Sequence, residues 1–247
     1  EYFKIHPYDR RREYHKLTFS MMYFYSEKFL MPLSHDEVVH GKATIIQKMY
    51  GNSYEEKFKQ ARALYMYMYA HPGKKLNFMG NEIAQFREWD EKREQDWNIL
   101  EYPMHNKFHR FMRDLNLVYI NHPALFKDDY KHEGFNWIDC HQEEKCVYTF
   151  ERMGENENII AIFNFSDEYH EGYEIPMEYN TLEVLMDSSI NEYGGDGKTN
   201  YRILIEEYIK YYEGGNKNDA NSIISSHKKR LISVDMKPYS AVYFILK

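Results

Sequence analysis

The sequence predicts an α/β segment followed by an all-β segment, and three observations carry that prediction. Two apolar runs, Lys28–Leu33 and Lys75–Met79, flank a stretch of helical periodicity. Each run breaks off into polar residues, Ser34-His35-Asp36-Glu37 after the first and Gly80-Asn81-Glu82 after the second. A buried parallel strand looks like this when its carboxyl end delivers side chains into a site. Beyond Ala124 the helical period gives way to short β-rich runs separated by turn residues, the pattern of an antiparallel sandwich.

Taken in order, the strand Lys28–Leu33 comes first. Phe58, Ala61, Leu64, Tyr65 and Met68 then fall at helical spacing and predict a helix over about Tyr54–Ala70. His71-Pro72-Gly73 stops it, with Gly73 available as a cap. The strand Lys75–Met79 follows at once, which makes a βαβ unit with parallel strands and a right-handed crossover. A second helix is expected from about His105 to Ile120, with Phe108, Phe111, Met112, Leu115, Val118 and Tyr119 on one face, ended by Asn121-His122-Pro123. Strands are expected at Phe135–Asp139, Cys146–Arg152, Asn158–Phe165, Thr181–Met186, Leu231–Met236 and Ser240–Leu246. Between Gly194 and Lys229 the chain reads as irregular and polar, with a short helix near Leu204–Tyr212. The expected division is 1–123 for the α/β part and 124–247 for the all-β part. One βαβ unit and two helices make about a quarter of an eight-stranded barrel, so the first part does not close a barrel alone. The stripe Leu64-Tyr65-Met66-Tyr67-Met68-Tyr69 reads as core and packing between the two parts, not as a cofactor box.

The 247 residues are 43% hydrophobic and 17% aromatic, enough for a sizeable core. A net charge of -7 with both signs spread along the chain argues against a nucleic-acid partner. No run approaches the roughly 18 apolar residues of a membrane span, and no secretory pattern is present. Cys140 and Cys146 flank a polar turn and read as two free thiols in a reducing cytosol. The expected location is therefore cytoplasmic. Glu1 stands where an initiator Met would, in mid-segment, which reads as an excised piece of a longer protein.

The chemistry gathers at His35 and Asp36, with Asn81, Glu82, Gln85, Glu88, Trp89 and Trp97 on the loops after the second strand. There, aromatics can stack on a ligand and polar groups can fix its orientation. For Trp89 and Trp97, stacking and rim packing both stand as readings. Glu37 is open between a supporting role and a salt bridge, and Lys42 between a solvated residue and a ligand. His35 and His40 lie five apart, whereas a metalloprotease pair lies four apart on a helix, so a zinc reading fails on spacing. No metal and no cofactor are expected.

The stretches Met31–Lys42 (MPLSHDEVVHGK), Ala70–Trp89 (AHPGKKLNFMGNEIAQFREW), Asp96-Trp97 and Gly134–Cys140 (GFNWIDC) resemble the later part of the glycogen (α-1,4-glucan) branching enzymes of the α-amylase superfamily. The resemblance covers most of the chain and weakens between roughly Tyr193 and Lys229. It implies the seventh and eighth strand–helix units of a TIM (β/α)8 barrel followed by the C-terminal all-β domain. It implies that Asp36 matches the family's third catalytic carboxylate, which holds hydroxyls of the distorted sugar ring. His35 matches the histidine that hydrogen-bonds the same sugar. Retaining glycoside chemistry needs a nucleophile and an acid/base, which the family takes from earlier strands, and neither motif occurs here. The implied activity is transfer of an α-1,4-glucan chain to a 6-hydroxyl in glycogen biosynthesis, with α-glucan as partner, while this chain by itself is expected to be inactive. A related debranching enzyme or trehalohydrolase is the alternative, as is a non-catalytic glucan-binding or structural module. Unpaired edges of the two expected barrel strands further imply self-association of this chain.

Overall fold

The computed structural model describes residues 1–212 and 223–246. Short 3-10 turns and a one-turn helix α1 (His15–Thr18) lead into β1 (Leu30–Leu33), then helix α2 (Tyr54–Ala70), β2 (Lys74–Asn77) and helix α3 (Pro103–Asn121). Eight strands follow: β3 (Phe135–Gln142), β4 (Val147–Met153), β5 (Asn158–Asn164), β6 (His170–Met177), β7 (Leu182–Asp187), β8 (Tyr201–Tyr212), β9 (Ile223–Met236) and β10 (Ser240–Leu246). β1 and β2 pair in parallel, Leu30 opposite Lys74 through Leu33 opposite Asn77. The later strands form a five-stranded sheet in the order β3-β4-β5-β10-β7 and a three-stranded sheet in the order β6-β9-β8, with antiparallel pairing throughout.

Helix α2 starts where Ser53 accepts the Glu56 N–H (3.2 Å), with Glu55 and Glu56 favouring the positive end of the helix dipole. It ends at His71, whose backbone turns extended ahead of Pro72. Gly73 then takes φ +107° and passes so close to β1 that a Cβ would lie 3.2 Å from the Phe29 carbonyl. A side chain is disfavoured there on both counts, a β-branched one above all, and the glycine is what lets β2 dock beside β1. Helix α3 opens with Pro103 and turns Phe108, Phe111, Met112 and Leu115 inward.

The molecule is layered as helices, five-stranded sheet and three-stranded sheet, and the middle layer is buried on both faces. In β5, Ile159, Ala161 and Phe163 face the helices while Ile160 and Ile162 face the second sheet. In β10, Ala241 and Tyr243 go one way and Val242, Phe244 and Leu246 the other. Burial on both faces is why these strands read as unbroken apolar runs. The outer sheet buries one face only, and β6 alternates accordingly, with Tyr173, Ile175 and Met177 inside.

Two expectations are corrected. Leu204–Tyr212 is not a helix but part of β8, and β9 begins at Ile223 rather than near Leu231. The Ile, Leu and Tyr content of 201–212 suits a pleated strand, and pairing with β9 provides the partner that a local reading lacks. Residues 213–222, within the stretch expected to be irregular, lie outside the described residues. β6 is an addition to the expected strands, because its charged outer face and internal Pro176 mask a short alternating pattern. In the β1–β2 pair one face alone is buried. Met31 and Leu33 pack on the core, while Leu30 and Leu76 are 55% and 39% exposed. Among the described residues no further strand joins this pair, so its outer edges are unpaired.

Three fully buried arginines bind the helical layer to the sandwich. Arg10 donates to the Phe165 carbonyl (2.7 Å) and to Gln60 of α2. Arg62 of α2 donates to the carbonyls of Ser188 and Tyr193, both at 2.9 Å. Arg152 of β4 donates to the carbonyls of Ala70 (2.6 Å), Leu125 (3.1 Å) and Gly134 (3.0 Å) and pairs with Asp129 (2.9 Å). The planar fork of Arg can serve several carbonyls at once, which is what a buried cation requires.

His71 is the buried group most sensitive to acid. Its Nδ1 donates to the Pro72 carbonyl (2.8 Å) and its Nε2 accepts from Ser20 (3.2 Å), a fit for the neutral ring. Burial pulls its pKa down to about 3. The unfolded ring takes a proton below its ordinary value of about 6.5 and the folded ring does not, so this residue erodes stability as pH falls from about 6.5 and stops doing so near 3. The expected contribution at pH 5 is a loss of about 2 kcal/mol relative to pH 8. Ring-proton NMR checks it: the His71 resonances are expected to stay flat from pH 8 to 5, and a midpoint near 6 would refute the assignment.

Among the described residues, no helix is long and apolar enough to cross a membrane.

Candidate functional site

The residues after β1 leave the strand as a 3-10 turn, His35–Glu37, that places His35 and Asp36 at its carboxyl end. His35 Nε2 lies 3.5 Å from Asp36 Oδ1, with the two side chains 54% and 69% exposed. Such an open pair is too well hydrated to fix either group strongly, so both remain available to a ligand. Beside them Phe78 stands edge-on to Trp89, centroids 5.2 Å apart, and His35 is 6.4 Å from Trp89 in the same edge-on sense. His35, Val39, His40, Trp89, Asp90 and Arg93 help to line a cavity of about 420 Å³.

The two loops that form this cavity are tied to each other. Trp89 N–H donates to the Val38 carbonyl at 3.0 Å. Glu88 accepts the N–H of Gly41 (2.9 Å) and of Ala43 (2.7 Å). These two backbone bonds hold its carboxyl below the usual carboxylate range. The loop they seize is an uncommon one: His40, Gly41 and Ala43 all have positive φ, at 59°, 75° and 65°. Successive left-handed residues turn their N–H groups toward a common anion, and here the anion is Glu88. On the other side, Arg87 grips both oxygens of Asp96 (3.0 and 3.1 Å) and closes the loop that carries Trp89. Replacing Glu88 by Ala is expected to leave the fold in place and to raise the exchange rates of the Gly41 and Ala43 amides roughly five- to ten-fold. Hydrogen exchange read by NMR tests it; unchanged protection would mean that Glu88 does not hold the loop.

The expected site residues do not all meet. His35 and Trp89 come together at the cavity, while Asp36 stands beside His35 and is not among the residues that line it. Asn81 is buried, and its amide donates to the Leu33 carbonyl (3.3 Å) and to Asn77 (3.2 Å), so it bridges β1 and β2 rather than opening to solvent. Glu82 and Trp97 are not among the residues lining the cavity; Trp97 is 46% exposed at the start of a separate 3-10 turn. Glu37 pairs with Lys48 (3.2 Å), and Lys42 is tied to the Asp36 carbonyl (2.8 Å). Phe78 and the charged run 90–93 were not singled out in the sequence, and His40 only as half of the rejected zinc pair. The signal for Phe78 was its place in the apolar pair that precedes Gly80. Among the described residues no group of three or more His, Cys, Asp or Glu side chains is placed to hold a metal ion. Cys140 and Cys146 are both free thiols.

Residues 137–247 match the family model described as "Alpha amylase, C-terminal all-beta domain". The "1,4-alpha-glucan branching enzyme GlgB" of Bacillus cytotoxicus is 42% identical over 207 residues, 83% of this chain and 32% of that protein. The protein of the same description from Aquifex aeolicus is 40% identical over 245 residues, 98% of this chain and 36% of that protein. The chain thus spans about a third of the length of the curated relatives it matches. Among solved structures, the alpha-amylase from H. orenii aligns with TM-score 0.41 and 14% identity, covering 78% of this chain and 36% of that one.

Proposed function

Because the chain belongs to the 1,4-alpha-glucan branching enzymes of the alpha-amylase superfamily, we propose that it supplies the C-terminal portion of such an enzyme. In this reading 1–123 is the end of the catalytic (β/α)8 barrel, 124–247 is the C-terminal all-β domain, and α-glucan is the substrate. The observation that carries it is the cavity at the carboxyl end of β1, where His35 and Trp89 converge beside Asp36.

The roles follow from charge and shape. Retaining transfer passes through an oxocarbenium-like transition state flanked by two carboxyl groups roughly 5–5.5 Å apart. Those two come from strands outside these 247 residues. Asp36 is a third anion. It accepts hydrogen bonds from ring hydroxyls, which strengthen as positive charge grows on the sugar. His35 donates to the same sugar, and Trp89 offers an apolar face for it. Asn81, with its amide spent between strands, positions β1 relative to β2. The released chain end passes from the nucleophile to a 6-hydroxyl, so no cofactor is called for.

The test is paired. The 247-residue chain incubated with amylose is expected to leave the iodine colour unchanged. The longer protein that carries it is expected to lower the colour and to generate α-1,6 linkages visible by proton NMR. Colour loss with the chain alone would place the nucleophile within it and sink this division of labour. A longer protein that releases only short linear sugars would make it a hydrolase.

A further inference from the structure

The open end of the β-sandwich holds a second cleft, of about 730 Å³, which shares no lining residue with the His35 cavity. Its size falls within the roughly 300–1,000 Å³ of small-molecule sites. β3, β4 and β5 line it from the five-stranded sheet, and the end of β6 with Arg230 of β9 from the other. We propose that this cleft binds a neutral oligosaccharide, an α-glucan segment seated on Tyr179 between Glu151 and Arg230. That the sugar is a glucan rests on the function proposed above; that the cleft takes a sugar rests on its own chemistry.

Tyr179 is fixed before any ligand arrives. Its hydroxyl donates to Glu151 Oε1 at 3.0 Å and is met by the Asn158 amide, which also donates to Glu151 Oε1 at 3.0 Å. An aromatic ring already held in place costs little ordering entropy when a sugar face packs on it. Glu151 has one oxygen engaged twice, while Oε2 has no hydrogen bond among the described residues. Burial raises the Glu151 pKa above its ordinary value, the mark of a carboxyl short of donors. Arg230 brings five N–H donors and makes no hydrogen bond or ion pair among the described residues. Among the described lining residues Glu151 and Glu178 outnumber Arg230, which disfavours an anion such as phosphate between them. A polyol, which both donates and accepts, satisfies both signs. Ile160 and Met177 complete an apolar floor.

The test uses the whole 247-residue chain and maltoheptaose. Methyl NMR of the unaltered protein is expected to show the Met153 and Met177 signals moving with added sugar. Tyr179→Ala is expected to weaken binding at this site about ten-fold, the effect of one lost stacked ring, and Tyr179→Phe to retain most of it. Asp36→Asn and Trp89→Ala are expected to leave these methyl shifts unchanged. No movement of the two methyls at millimolar sugar overturns the proposal, as does movement that survives Tyr179→Ala but vanishes with Trp89→Ala. Neither result touches the reading of the His35 cavity. Equal shifts with cello-oligosaccharide would overturn the assignment to α-glucan. A Tyr179→Ala variant that fails to fold leaves the decision to the methyl shifts of the unaltered chain.

Discussion

Replacing Asp36 by Asn in the longer enzyme is expected to leave the fold intact and to lower kcat by about 10²–10³-fold. The side chain is 69% exposed and lies 3.5 Å from His35, so little packing is lost. On the proposed reading, what goes is a negative charge opposite a developing positive one. Such a charge is used more in the transition state than in the ground state, so KM is expected to change far less than kcat. Steady-state branching kinetics with amylose, alongside circular dichroism of the variant, decide the matter. A variant with the kcat of the unaltered enzyme would remove Asp36 from the chemistry and leave His35 and Trp89 as a binding surface alone.

The largest stability effect is expected at Arg152. Both Arg152 and Asp129 are fully buried, and the guanidinium also serves three carbonyls from separate segments. Arg152→Met leaves Asp129 as a buried carboxylate and orphans those carbonyls. Breaking a buried pair in this way costs about 3–5 kcal/mol. For a chain of this size that lowers the melting temperature by roughly 6–20 °C. Lys74, 2.9 Å from Asp129, still offers a partner, which places the loss toward the lower end. Removing both charges, Arg152→Met with Asp129→Leu, is expected to cost less than the single change, because no lone charge remains. Urea denaturation of the two variants gives the comparison. A single variant within about 1 kcal/mol of the unaltered protein would show that water reaches Asp129 and that the pair is not what joins α2 to the sandwich.

Much of this molecule was legible in the sequence where burial is local and periodic. Helix α2 runs from Tyr54 to Ala70 as its spacing predicts. Its apolar positions recur every three to four residues, and His71-Pro72-Gly73 marks its end. The parallel pairing of β1 with β2 followed from the helix between them, since a crossover of that length cannot return the strand antiparallel beside its neighbour through a tight turn. β4, β5 and β10 announced themselves as apolar runs because both their faces are covered. The placement of His35 and Asp36 at the carboxyl end of β1 was legible because the apolar run breaks off into them.

Tertiary structure alone decided the rest. β8 is a strand because β9 lies beside it, and no local pattern in 201–212 outweighs its polar neighbours without that partner. The half-exposed state of β1 and β2 depends on which elements cover them, something periodicity does not encode. Glu88 is distinguished from other acidic residues nearby only by the left-handed loop it meets, 45 and 47 residues away in sequence. The buried arginines, too, look like ordinary surface charges until separate segments fold around each. Local sequence determines backbone propensity and which face is apolar. Which carbonyl, carboxylate or ring comes to rest against that face is set by long-range packing, and in this protein that packing shapes the candidate site.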